Sequence, residues 1–391
     1  MRTLPESASV DHLRKQAKDL LDVLRRSDPS TTLSDAQANL ARQYGYATWP
    51  ELKKASDEQN ALPPVVADQS VVDAVVEQFA LGSATSPMVR VDRTWSGDIW
   101  EMETPAGRVV LTQLKSHLDV TSVELQSGLV EQAIANGVPT AAPIRTAAGA
   151  FVTEIDGDNW RAHRWLRLGP MTLRPAPVEV AALAAKALGA LHAMAVPAPG
   201  PVSAWLTHRS SHGEGVDALV AQVERERPEW SEPFRLALKG FLEFEPLLDV
   251  SDQNARAIFS HSWIAPESVR VGGPDGIVLC VWEHAGPVAP DLELGHCLMS
   301  WAETGDNDFV AGPAQAFLDA YREAAGFDGA VTLPMLTYGI SGGINWLVSR
   351  INIALNASDA DERLLAERAV PGLLAKPLSP TQMQAFVDSL H

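Results

Sequence analysis

Phe259-Ser260-His261-Ser262-Trp263-Ile264-Ala265-Pro266-Glu267-Ser268-Val269, followed by Val278-Leu279-Cys280-Val281-Trp282-Glu283-His284-Ala285-Gly286-Pro287, is the stretch whose reading decides the fold. Between the two runs lies Gly272-Gly273-Pro274-Asp275-Gly276. That turn cluster predicts a β-hairpin of Ser268–Val271 with Ile277–Val281. The hairpin is isolated, because from Thr172 onward the rest of the chain has helical periodicity. Upstream the pattern changes. A helix is expected over Ser70–Leu81, then strands over Met88–Thr94, Ile99–Thr104 and Arg108–Leu114, the last two joined through Pro105-Ala106-Gly107. A helix over Ser122–Asn136 stops at Gly137, and strands over Ala142–Arg145 and Ala150–Glu154 join through Ala148-Gly149.

The chain has 391 residues, 46% hydrophobic and 20% charged, which suits two or three folding units at roughly 100–200 residues each. Cys280 and Cys297 give no disulfide framework and point to a reducing compartment. Met1-Arg2-Thr3-Leu4-Pro5-Glu6 lacks the apolar run of a signal peptide. The Ala-rich stretch Val178–Ala195 carries Glu179, Lys186 and His192, and reads as a buried helix rather than a membrane span. A cytoplasmic chain without a membrane partner is the expectation. The net charge of −18 repels polyanions at long range and favours cations. No basic cluster with interleaved aromatics occurs, which argues against nucleic acid.

Leu13, Ala17, Leu20, Leu21 and Leu24 recur at helical spacing until Asp28-Pro29. Ser34 with Gln37, and Thr48 with Glu51, form capping-box patterns for a second helix and for a third over Trp49–Ala55. This opening resembles a short helical segment found before ankyrin repeats, and predicts a module over residues 1–60 that could present itself to a protein partner. Asp57–Pro64 reads as a linker.

The two runs quoted first resemble, in order, the catalytic loop (H-G-D-x-x-P-x-N-V) and the metal-binding strand (I-D-W-E-x-A-G-P) of the aminoglycoside and choline kinase family. Asp291-Leu292 falls where that family starts a helix with D-L-A. Leu191-His192-Ala193 matches its L-H-A helix end, Gly137-Val138-Pro139 the turn after the small-lobe helix, and Arg164-Trp165-Leu166 the hinge. The resemblance spans about residues 85–390. It implies an α+β, bilobal protein kinase-like fold: a small antiparallel sheet lobe over 65–168, a hinge near Ala162–Leu168, and a helical large lobe over 169–391. A ligand would be expected in the interlobe cleft.

The resemblance also shows what is replaced. Phosphoryl transfer is mostly positioning and charge neutralisation. Trp263 stands at the place of the proton-accepting Asp, Ser268 at the metal-binding Asn, and Val281 at the metal-binding Asp. Mg²⁺ needs oxygen ligands in near-octahedral geometry. Thr112, in Val110-Leu111-Thr112, takes the place of the nucleotide Lys, and Gln126 that of its partner Glu. Ser96-Gly97-Asp98 offers one glycine, and an acid that repels phosphate. The expectation is a pseudokinase with no catalytic residue, no metal and no cofactor, holding an apolar or cationic small molecule.

The alternative is an active ATP-dependent phosphotransferase using Mg-ATP and atypical ligands such as Glu283 and Glu267. Glu283 would share a strand face with Val281 if the strand persists. Lys115 as a displaced nucleotide lysine falls on the opposite strand face. His261, Cys280, His284, His296 and Cys297 do not match a zinc pattern. His261 is expected to keep a hydrogen bond in its turn, and Cys280 to sit in a buried strand. Ser260, Ser262 and His261 lack a G-x-S-x-G elbow. Trp263 and Trp282 either fill the former cleft or line a cation-attracting pocket.

Overall fold

The computed structural model describes residue 4 and residues 10–60, 64–94, 96–203, 213–247, 253–273, 275–304, 308–358, 360–374 and 378–390. Three helices open the chain: α1 Val10–Ser27, α2 Leu33–Gln43 and α3 Trp49–Asn60. Their shared core is Leu13, Ala17, Leu20, Leu40, Ala41 and Leu52, all fully buried. The capping box of α2 is not Ser34 with Gln37. Thr32 caps the helix, and the Asp35 carboxylate accepts the Thr32 N–H at 2.8 Å. Helix α3 runs past Ala55 through Asp57–Asn60, so the expected linker begins as helix, and its residues 61–63 lie outside the described residues.

Helix α4 Gln69–Gln78 precedes β1 Val89–Arg93, β2 Gly97–Thr104 and β3 Gly107–Leu114. Then come α5 Val120–Ala135, β4 Pro143–Ile144, β5 Val152–Ile155, β6 Asp158–Arg164 and β7 Leu168–Met171. One antiparallel sheet runs β1-β2-β3-β6-β4, with β5 also on β6. The sequence reading missed strands β6 and β7 here, and its single hairpin after Thr172 left out a further strand pair, Ile258–Ser260 with Gly286–Val288. Asp156 and Gly157 take φ of 53° and 85°, and positive φ at both centres makes this a tight hairpin turn. So β4 and β5, read as neighbours, both pair with β6 at different ends, through Ala162–His163 and Asp158–Arg161. The sheet packs on α4 through Val75, Phe79, Met102, Val109, Leu111 and Trp160.

The chain continues as α6 Val178–Met194, α7 Gly213–Glu226, α8 Ser231–Phe244, α9 Gln253–Arg256 and β8 Ile258–Ser260. It then forms the hairpin β9 Val269–Gly272 and β10 Ile277–Leu279, with Pro274 of its turn outside the described residues. Last come β11 Gly286–Val288, α10 Pro290–Ala302, α11 Ala311–Ala325, α12 Thr337–Asn356, α13 Ala360–Leu374 and α14 Pro380–Asp388. The chain divides into two compact units. The first holds Met1–Met171 with Val269–Glu283, and the second holds Thr172–Ser268 with His284–His391. In the first, β9 pairs with β10 and with β7. In the second, β8 pairs with β11, and α6 lies along α11, where a Cβ on Gly189 would stand 2.6 Å from the Ala324 Cβ. Among the described residues no helix is long and apolar enough to cross a membrane.

Candidate functional site

In the first unit the expected site positions converge on one ion pair. Thr112 is buried in the middle of β3, and its cross-strand Cα partner on β6 is Arg161. Arg161 pairs with Glu283, and both side chains are about nine-tenths buried, at 8% and 11% exposure. Ser96 donates its hydroxyl to the same carboxylate at 3.3 Å. The Gln126 amide, from α5, donates to the Glu283 backbone carbonyl at 3.1 Å. Arg161 and Glu283 thus form an ion pair next to the positions where the resemblance would place a lysine and a glutamate. A buried charge needs such compensation. Burial, with the Arg161 charge beside it, drives the His163 imidazole down to about 3, so it is neutral.

The strand does not persist to Glu283. Strand β10 ends at Leu279, Val281 takes φ of 63°, and Trp282–His284 form a short 3₁₀ turn. Shared strand-face geometry between Val281 and Glu283 is thereby lost. Cys280 also lies past the strand, and burial pushes its thiol up to about 11. Trp282 is buried and donates its Nε1–H to Thr140 Oγ1 at 2.9 Å. Gly97 serves the sheet, since a Cβ there would collide with the Gln113 carbonyl. Asp98 is not a bare acid: Arg90 at 3.2 Å, Arg93 at 3.4 Å and Lys115 at 3.2 Å surround it. Of the expected hinge residues, Arg164 ends β6 and Leu166 lies in the connector to β7. Trp165 donates to Glu101 Oε1 at 3.2 Å beneath the Arg108 guanidinium.

In the second unit the loop after β8 is fixed from below by a buried network. Ser262, at φ 63°, donates its N–H to Glu293 Oε1 at 2.7 Å, and Tyr338 donates its hydroxyl to the Ser262 carbonyl at 3.0 Å. His192 Nε2 meets Glu293 Oε2 at 2.9 Å, and His192 Nδ1 meets the Tyr321 hydroxyl at 2.7 Å. Burial pushes the Glu293 carboxyl up, but the hydrogen bond from His192 and the neighbouring His192 and His261 together hold it below its usual value. His261 is buried and accepts the Trp263 N–H at Nδ1, 3.3 Å away. Ser268 spends its hydroxyl on the Ala265 carbonyl at 2.8 Å. Glu267 pairs with Arg174, which also pairs with Glu303.

Trp263 is half-buried, with ring centroids of His296 at 4.5 Å and His284 at 5.3 Å. His284 is exposed, whereas His296 is buried between Trp263 and Tyr338. Neither ring nitrogen of His296 has a hydrogen-bond partner among the described residues, and burial lowers its pKa to about 4. Sequence reasoning missed Arg161, Glu293 and Arg174 altogether, and weighed His296 only as a zinc ligand. For Arg161 the signal was Asp156-Gly157, which sets the register that places Arg161 beside Thr112.

In the first unit Val281 has no lone pair and Glu283 faces Arg161; in the second the Ser268 hydroxyl is committed to the Ala265 carbonyl and Glu267 faces Arg174. Among the described residues no group of three His, Cys, Asp or Glu side chains is placed to hold a metal ion.

A sheet with one crossing helix, a separate hairpin and a helical second unit define the protein kinase-like fold of the aminoglycoside phosphotransferases and ethanolamine kinases. Spectinomycin phosphotransferase, solved with ADP and spectinomycin, aligns with 84% of this chain and 99% of its own, at 12% identity and a TM-score of 0.58. Amicoumacin kinase, solved with AMP-PNP and Ca²⁺, aligns with 80% of this chain and 95% of its own, at 14% identity and a TM-score of 0.55. In sequence, a homoserine kinase of Methylobacterium nodulans is 26% identical over 289 residues, 72% of this chain and 81% of that protein. No protein-family model matches the chain.

Proposed function

We propose that this chain is a small-molecule-binding pseudokinase: it keeps the architecture of a phosphotransferase without transferring phosphate. The observation that carries the reading is Trp263, whose indole packs, tilted, against His284 and His296 where the resemblance calls for a carboxylate. An indole accepts no proton, and removing a general base alone costs about 10²–10⁴ in rate. The rival reading, an active enzyme with Glu283 and Glu267 as metal ligands, draws on the kinases it resembles. Against it, both carboxylates are engaged by arginines. The ligand we favour is an apolar or cationic small molecule, because indole faces attract cations and the chain carries a net charge of −18.

The test incubates the full chain with Mg²⁺, γ-labelled ATP and a panel of homoserine, choline and spectinomycin. No label should reach any acceptor and ATP should persist as in buffer. Enzyme-dependent transfer, or hydrolysis abolished by Glu283→Gln, would establish the rival reading.

A further inference from the structure

In the second unit α13 packs on both α8 and α12, and the three helices leave a groove of about 720 Å³ at their surface. Its floor is apolar: Trp230 and Leu374 line it and are themselves buried, with Leu355 beside them. Leu236, also on its lining, is 58% exposed, more than any other large apolar side chain among the described residues. Three prolines form part of the wall, and their fixed φ stiffens it. A hollow of this size falls within the range of about 300–1,000 Å³ typical of small-molecule sites.

The rim is acidic. Glu229, Glu232 and Glu367 line the groove and are exposed, and no cation lines it among the described residues. Arg235 pairs with Glu232 at 2.7 Å, leaving Glu229 and Glu367 to meet a ligand. Carboxylates beside a low-dielectric wall focus their field into the groove, on a chain whose net charge is −18. The groove is separate from the site around Trp263, and α12 connects the two. A Cβ on Gly342 would lie 3.8 Å from the Trp263 ring, while Ala354 and Leu355, further along the same helix, line the groove. At ~1.5 Å per residue the separation along the axis is about 18 Å.

The geometry points to this groove as a second binding site, for a small organic cation that carries an apolar body. The body lies on Trp230, Leu236 and Leu374, and the ammonium head meets Glu229 and Glu367. An apolar floor under an acidic rim is complementary to that chemistry, and disfavours an anion with the same body. The site does not depend on whether the chain transfers phosphate.

The experiment measures binding of octylamine, octanol and octanoate by calorimetry on the full chain at low salt. The three share one apolar body and differ in a cationic, neutral or anionic head. Octylamine should bind about fivefold tighter than octanol, the size that exposed charge contacts allow, and octanoate should bind weakest. Leu236→Lys changes an exposed position, so folding is spared, and the added ammonium should weaken octylamine about tenfold or more. Glu229→Gln/Glu367→Gln should bring octylamine to the affinity of octanol. Trp263→Ala separates the two sites, since the heat lost in Leu236→Lys should persist in it. Octanoate as tight as octylamine, an octylamine affinity unchanged by Leu236→Lys, or no heat from any of the three overturns the proposal. So does a wild-type dimer in sedimentation that Leu236→Lys dissociates, because a second copy would then cover the groove.

Discussion

Replacing His296 with leucine should make the protein both more stable at neutral pH and less sensitive to acid. The ring is buried between Trp263 and Tyr338, both nitrogens lack partners among the described residues, and burial lowers its pKa from 6.5 to about 4. A histidine with a depressed folded-state pKa contributes stability above pH 6.5, and that contribution is lost as the pH falls through the window between 6.5 and about 4. With those two values the loss is about 2 kcal/mol by pH 5. His163, held at about 3 in the first unit, loses a similar share over the same range, and burial lowers His12 as well. Urea midpoints between pH 7.5 and 5 follow the loss and stay above the range in which Glu293 protonates. His296→Leu should remove about 2 kcal/mol of the acid loss at pH 5. At pH 7.5 it should gain about 1–2 kcal/mol, because an unpartnered buried polar group is replaced by an apolar one of similar volume. A variant less stable than wild type at pH 7.5, with an unchanged acid slope, would refute the reasoning and show that the ring is hydrogen-bonded in solution.

Glu293→Gln should cost about 3–5 kcal/mol in a urea melt, since it breaks a buried charged network under the 262 loop; a loss below about 1 kcal/mol would make that network dispensable. Gly189→Ala should destabilise by about 1–3 kcal/mol through overpacking of α6 on α11, read as a fall in melting temperature. Arg161→Met should destabilise by about 3–5 kcal/mol by leaving Glu283 buried and uncompensated, and pairing it with Glu283→Leu should recover much of the loss. A double-mutant cycle measures that coupling.

The sequence announces the hairpin β9–β10 and the strands β2–β3 clearly, because glycine-rich turns bracket alternating apolar runs. It hides β6. Residues Trp160, Arg161 and Ala162 are all buried, so the strand has no inside–outside alternation and its charged residues look like loop. The Asp156-Gly157 turn was the available sign. Thr112, Gln126 and Val281 were picked out by motif spacing. The compensating pair was not, because Arg161 and Glu283 are 122 residues apart and meet only once the strand order is known. Asp98 shows the same limit, since two cations from β1 and one from the residue after β3 reach it only in the folded sheet.

Val281 carries backbone strain at the position the resemblance aligns with an aspartate. A β-branched side chain at φ 63° is held in a conformation it would not choose, at a cost of about 1–3 kcal/mol. The neighbours impose it, through the indole of Trp282 on Thr140 and the Gln126 amide on Glu283. Aspartate and asparagine tolerate left-handed backbone far better than valine. An aspartate or asparagine at 281 would therefore relieve backbone strain that the valine carries.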